Sequence, residues 1–123
     1  MAATVRVLLA DDDAGFVDAL RTVIDGQPHL GVVGVAANGL DAIELAEELD
    51  PDAVVIDLHM PLLDGVTAVA RLRRDHPHAC LIALTGDHTE RIHEAVREAG
   101  ADAVLLKDDF VETLMERLRG AKR

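Results

Sequence analysis

Residues 5–13 read VRVLLADDD, a short apolar run with a single arginine in it that stops on three consecutive aspartates. Val5 to Ala10 is too short and too evenly apolar for a surface helix, and it suits a strand covered on both faces. The three aspartates pose a separate problem, because neighbouring carboxylates repel and oppose one another's ionisation. The same figure returns further on: Ala53-Val54-Val55-Ile56 is the most apolar strand candidate, and it too stops on an aspartate, Asp57.

Between and beyond these runs, strand and helix patterns alternate. Phe16, Leu20, Val23 and Ile24 recur at helical spacing, with Asp18, Arg21 and Asp25 on the other side, and Gly26 and Pro28 end the helix. A second strand spans roughly Leu30 to Ala36. Asn38-Gly39 turns the chain into a helix striped by Ala42, Ile43, Ala46 and Leu49, which stops at Asp50-Pro51. After Asp57, the loop from His59 to Gly65 leads into a helix ending near His76-Pro77. Cys80 to Leu84 is a fourth strand, closed by Thr85-Gly86. Ile92, Ala95, Val96 and Ala99 stripe a helix that stops at Gly100. Ala103 to Leu106 is a fifth strand ending at Lys107, and Phe110, Val111, Leu114, Met115 and Leu118 form the expected buried stripe of the last helix. Five strand–helix units of this length predict an α/β fold, a parallel sheet with helices on both faces, in one domain over residues 1–123.

Composition narrows the function. Acidic residues outnumber basic ones 23 to 12, giving a net charge of −11, which repels nucleic acid and attracts small cations. One cysteine, Cys80, forms no internal disulfide and no Cys-rich zinc module, and fits a reducing cytoplasm. No apolar run has the length of a membrane span, and the N-terminus MAATVRV lacks a signal-peptide core. With Phe16 and Phe110 as the only aromatics, stacking platforms for bases or flavin are largely excluded. Arg117, Arg119, Lys122 and Arg123 close the chain with positive charge, either complementing a helix C-terminus or opening a linker.

In open parallel sheets ligands bind beyond the carboxyl ends of the strands. The residues expected there are selective: Asp11 and Asp12 after the first strand, Asp57 after the third, Thr85 after the fourth and Lys107 after the fifth. Taken singly, each has an ordinary use as a cap, a turn residue or a solvated charge. Together they bring carboxylates, one hydroxyl and one ammonium to a single edge. An all-oxygen acidic cluster favours Mg²⁺, with Mn²⁺ also acceptable, over zinc. A hydroxyl and a lysine opposite the metal supply donors to an anion, and a carboxylate can itself accept a phosphoryl group.

LLADDD, VVIDLHMPLLDG, ALTG and GADAVLLKD, spread over essentially the whole chain, make it resemble a receiver domain of bacterial two-component response regulators. The resemblance implies a flavodoxin-like sheet of strand order 2-1-3-4-5. It implies phosphorylation of Asp57 by the phosphohistidine of a sensor histidine kinase or by a phosphotransfer protein. Asp11 and Asp12 would position Mg²⁺, Asp12 more directly and Asp11 partly through water, with the backbone carbonyl of His59 completing the protein ligands. Thr85, the N–H of Gly86 and Lys107 would bind the phosphoryl oxygens. Such a domain also hydrolyses its own acyl phosphate, so it is a self-limiting switch and not a conventional enzyme. Phosphorylation would draw Thr85 inward and shift the face built from the fourth helix, fifth strand and fifth helix, and a homodimer of the phosphorylated form is compatible with this reading.

Two departures from the family stand out. Val104 replaces a frequent aromatic three residues before the lysine, so an aromatic-coupled switch is not expected. Asp108 follows Lys107 where proline is common, and a non-proline cis bond there would cost about 2.5–4 kcal/mol, so a trans bond is expected. The ending LLKD resembles receivers attached to helix-turn-helix output domains, yet no such segment lies within these residues. His59 and Asp87 occupy positions that in the family tune water access to the acyl phosphate. Asp87 is also placed to cap the fourth helix, with Glu90 at capping-box spacing, and Asp13 to cap the first. His76 and His78 read as a loop pair. Competing readings are an aspartyl phosphatase or mutase, a flavin carrier, and an atypical receiver that binds protein without phosphorylation. The first would want an aspartate at His59 and a large cap, the second aromatics, and the third a degraded site.

Overall fold

The computed structural model describes residues 4–87 and 89–121. Ten elements alternate along the chain: β1 (Val5–Ala10), α1 (Ala14–Asp25), β2 (Leu30–Ala36), α2 (Gly39–Leu49), β3 (Ala53–Asp57), α3 (Gly65–Asp75), β4 (Cys80–Thr85), α4 (Glu90–Ala99), β5 (Ala103–Leu106) and α5 (Val111–Arg119). The strands form one parallel sheet in the order β2-β1-β3-β4-β5, as expected. Because side chains alternate along a strand, β1, β3 and β4 feed two cores at once. Val7, Leu9, Val55, Ile82 and Leu84 pack with Val17, Leu20 and Ile24 of α1 and with Leu114, Met115 and Leu118 of α5. Leu8, Val54, Ile56, Leu81 and Ala83 face the opposite way, against α2, α3 and Val96 of α4. Every residue of β3 is buried, which is why that segment reads as the most apolar of all.

Two glycines are demanded by the backbone. A side chain at Gly65 would collide with the Leu58 main chain at 2.7 Å, so the loop after β3 folds back only with glycine there. Gly100 ends α4 at φ 126°, a left-handed conformation that favours glycine, with the Arg73 side chain where a Cβ would go.

The edge at the amino ends of the strands is bound up by charge. Arg73 donates from Nε to the Gly100 carbonyl, from one terminal nitrogen to the carbonyls of Pro77 and Ala79, and from the other to Asp102 at 2.7 Å. Asp102 also accepts from the Leu81 N–H, and Asp52 accepts from the Arg6 N–H. Arg6 in turn donates to the carbonyls of Leu49 and Asp50.

Several expectations need correcting. Val23 falls at the margin of the α1 stripe and is exposed, the buried face being Val17, Leu20 and Ile24. Val111 is exposed in the first turn of α5, because Phe110 immediately before it takes the core position. Asp87 does not cap α4: the N-cap is Thr89, without a side-chain hydrogen bond, and Asp87 instead accepts from the Thr89 N–H in a tight turn before the helix. Asp13 does cap α1, accepting from the Phe16 N–H. Among the described residues no peptide bond is cis, so the bond from Lys107 to Asp108 is trans as expected. Arg117 and Arg119 lie in the last turn of α5, where cations complement the helix C-terminus. Lys122 and Arg123 lie outside the described residues.

Candidate functional site

The carboxyl ends of β1, β3, β4 and β5 come together on one edge, and the aspartate triplet divides there. The Asp11 N–H bonds the Ala36 carbonyl, prolonging the β1–β2 pairing by one residue, and the residue is 6% exposed. Asp12 is exposed beside it. Asp13 gives its N–H to the Asp11 carboxylate and its own carboxylate to the α1 cap. Asp57 is the last paired residue of β3, opposite Leu84, and is 5% exposed. Its Oδ1 accepts from the His59 N–H at 3.1 Å.

Asp11, Asp12 and Asp57 each offer a carboxylate oxygen, all within 4.8 Å of one another. One ammonium faces them. The Lys107 N–H continues the β4–β5 pairing by bonding the Thr85 carbonyl, and this aims the side chain along the edge. Its Nζ lies 2.8 Å from Asp11 Oδ2 and 3.4 Å from Asp57 Oδ2. Burial works against the ammonium, but the Asp11 hydrogen bond and the attraction of Asp57 outweigh it, and the lysine pKa is raised. Three carboxylates against one lysine leave negative charge uncompensated. The donor set is wholly oxygen, and opposite ligands of a Mg²⁺ ion stand about 4 Å apart, so the residues present fit a small hard divalent cation.

Thr85 is completely buried, and its hydroxyl has two partners: the Asp87 N–H at 2.9 Å and His59 Nε2 at 3.0 Å. Gly86 follows with open space where a side chain would stand. Asp11, Asp57 and Lys107 are therefore tied to one another with Asp12 close by, while Thr85 and His59 form a second, adjoining group. His59 bridges the two, through its N–H to Asp57 and its ring to Thr85.

Three side-chain contacts around the site were not legible in the sequence. Lys107 Nζ sits 4.4 Å from the centre of the Phe16 ring, a cation–π contact, and Phe16 is braced by Phe110 at 5.7 Å between centroids. The available signal was that the only two aromatics flank the acidic and lysine motifs. His93, which falls outside the apolar stripe of α4, is 8% exposed and bonds the Asp87 carbonyl at 2.7 Å. The His59 ring on Thr85 had no sequence signal, since the two residues meet only through β3–β4 pairing.

Comparison with known proteins agrees with this geometry. A family model described as the response regulator receiver domain matches residues 7–119. The chain is 37% identical over 120 residues to the transcriptional regulatory protein YxjL of Bacillus subtilis, covering 97% of this chain and 55% of that protein. It is 36% identical over 116 residues to the nitrate/nitrite response regulator NarL of Escherichia coli, covering 94% of this chain and 53% of that protein. It also matches a protein-glutamate methylesterase of Shewanella denitrificans at 33%, covering 94% of this chain and 32% of that protein. The chain thus spans a third to about half of these curated relatives. Among solved structures, the response regulator domain of Thermotoga maritima CheB superposes with a TM-score of 0.87 at 31% identity, covering 96% of both chains. The receiver domain of a Mycobacterium tuberculosis NarL superposes with a TM-score of 0.88 at 26% identity, covering 97% of this chain and 99% of that one.

Proposed function

This chain belongs to the response regulator receiver domain family, and from that premise we propose that it is a phosphotransfer switch whose acceptor is Asp57. The observation that carries this is the setting of Asp57: a buried carboxylate at a strand end, within 4.8 Å of two further carboxylates and 3.4 Å from Lys107 Nζ. The donor is the phosphohistidine of a sensor histidine kinase or phosphotransfer protein. An Asp57 oxygen attacks phosphorus in line, the nitrogen–phosphorus bond breaks, and the histidine keeps the electron pair. Lys107 pairs with the phosphoryl charge, and the Thr85 hydroxyl and Gly86 N–H donate to its oxygens. Asp11, Asp12, Asp57 and the His59 backbone carbonyl would hold Mg²⁺, or Mn²⁺ in its place. When bound, the cation offsets negative charge on the phosphoryl oxygens. Water later attacks the phosphorus, the bond to the Asp57 oxygen breaks, and inorganic phosphate leaves Asp57 as its carboxylate.

The relatives are transcriptional regulators or carry an esterase, so the output belongs to a further domain or partner. Transcription control is the reading that LLKD favours, and a net charge of −11 keeps this chain itself off DNA. No described helix is long and apolar enough to cross a membrane. We place the domain in the cytoplasm, with a homodimer of the phosphorylated form as one response open to it.

Acetyl phosphate with Mg²⁺ tests the proposal. Intact-mass spectra should show one added phosphoryl group on the native chain and none on Asp57→Asn, and Mg²⁺ affinity should fall at least about tenfold in Asp12→Ala. No adduct on the native chain would instead leave a protein-binding module that works without phosphorylation.

A further inference from the structure

We infer that His93 latches the first turn of α4 to Thr85 by way of the Asp87 main chain, so that the direction of the Thr85 hydroxyl sets how firmly the start of that helix is held. The Asp87 main chain is held on both sides. Its N–H donates to Thr85 Oγ1 at 2.9 Å, and its carbonyl accepts from His93 Nε2 at 2.7 Å. A carbonyl only accepts, so the proton of the His93 ring resides on Nε2.

Among the described residues, the start of α4 is held besides by the Thr89 N–H on Asp87 Oδ1 and by Ile92 against the core, without a side-chain cap. Asp13, Asn38 and Asp64 cap α1, α2 and α3 with side-chain hydrogen bonds, whereas Thr89 gives α4 none. The far end of α4 is anchored. Gly100 donates to the Arg97 carbonyl and accepts from Arg73, and Ala101 donates to the Val96 carbonyl. The helix is therefore anchored at its C-terminus, and at its N-terminus a buried imidazole ties it to the main chain that Thr85 holds.

Thr85 can release that latch. A hydroxyl has one proton and a limited choice of directions, and here it is committed to the Asp87 N–H and His59 Nε2. Donating to an oxygen carried by Asp57 turns it about the Cα–Cβ bond. The Asp87 N–H then loses its acceptor, the Asp87 main chain can turn about its φ and ψ, and the carbonyl that His93 uses to fix α4 is no longer held in place. This regulatory step rests on the reading of Asp57 as phosphoryl acceptor, but the latch between Thr85 and His93 exists without it. His93 acts as a positioning residue and touches no reacting atom.

Hydrogen exchange on the full chain separates the two. In the unphosphorylated state, His93→Phe keeps a ring but no donor for Asp87, and Thr85→Val keeps the shape but no acceptor. Each should speed exchange at Asp87 and at residues 89–96 by roughly tenfold, the worth of one hydrogen bond. The double variant should add little to either, and His93→Gln, whose amide N–H can still donate, should return exchange to within about twofold of native. Multiplicative effects of the two single variants, or equal effects of Phe and Gln, would overturn the latch. With beryllofluoride and Mg²⁺ as phosphoryl mimic, native exchange in this segment should rise and His93→Phe should show no further rise. Acetyl phosphate should still label His93→Phe at the native rate. Coupled variants without any acetyl phosphate adduct would overturn the phosphorylation reading and leave the latch standing; an adduct with uncoupled variants would do the reverse.

Discussion

The two edges of the sheet use the same residue types to opposite ends. At the amino edge, Asp52 and Asp102 each accept from a backbone N–H, and Arg73 and Arg6 spread their guanidinium protons over carbonyls and the Asp102 carboxylate. Acceptors and donors there are matched, and the edge is closed. At the carboxyl edge, Asp11, Asp12 and Asp57 crowd together around the single ammonium of Lys107. Charge there is left over. The difference teaches that a buried aspartate is not in itself a functional sign. What marks a site is a set of like charges that the protein's own groups leave uncompensated.

The largest expected effect comes from breaking the closed edge. Arg73→Ala removes donors from three carbonyls and a carboxylate and should cost about 3 kcal/mol in urea denaturation. The stabilisation gained on adding Mg²⁺ should be unchanged in that variant, because the two edges share no charged group. If Mg²⁺ stabilisation falls with it, the edges are coupled and the contrast is wrong.

Lys107 sharpens the comparison through pH. Its folded pKa is raised, so between the ordinary lysine value, about 10.4, and the folded value the native state holds more protons than the unfolded one. Its contribution is complete below that window and is lost as pH rises through it. Urea midpoints measured between about pH 9 and 12 should fall less steeply for Lys107→Met than for the native chain. Parallel slopes would mean that the lysine is not the counter-charge of the edge.

Smaller effects distinguish the helices that leave the carboxyl edge. Asp13→Ala should cost about 1 kcal/mol by uncapping α1, while Thr89→Ala should change stability by no more than about 0.5 kcal/mol, since α4 has no side-chain cap to lose. Smallest, and opposite in sign, is Asp12→Asn in metal-free buffer. Relieving like charge at an exposed position should stabilise the chain by about 0.5 kcal/mol, whereas with saturating Mg²⁺ the same variant should be the less stable one. A loss of stability without metal would show that Asp12 is already paired within the fold.

The strands were readable because burial on both faces permits little but apolar residues, so VRVLLA and AVVID announce themselves and end where polarity returns. Helix margins were harder. Val23 and Val111 are apolar by composition, yet one sits at the rim of a stripe and the other in a first turn whose core place is taken by Phe110. Asp87 shows the limit of spacing rules: the pattern from Asp87 to Glu90 suits a capping box, but the N-cap falls at Thr89, whose N–H turns back to Asp87 Oδ1.

From its order of residues alone, this chain determined an alternating parallel sheet and placed Asp11, Asp12, Asp57, Thr85 and Lys107 at strand ends, because period and burial are local and parallel strands all end on the same edge. Tertiary structure alone decided which of those residues touch. Lys107 meets Asp11 across 96 positions, the His59 ring reaches Thr85 across 26, and the Phe16 ring lies beneath the lysine. Strand order and register set those meetings, and they arise from how the whole sheet packs, which no short stretch of sequence contains.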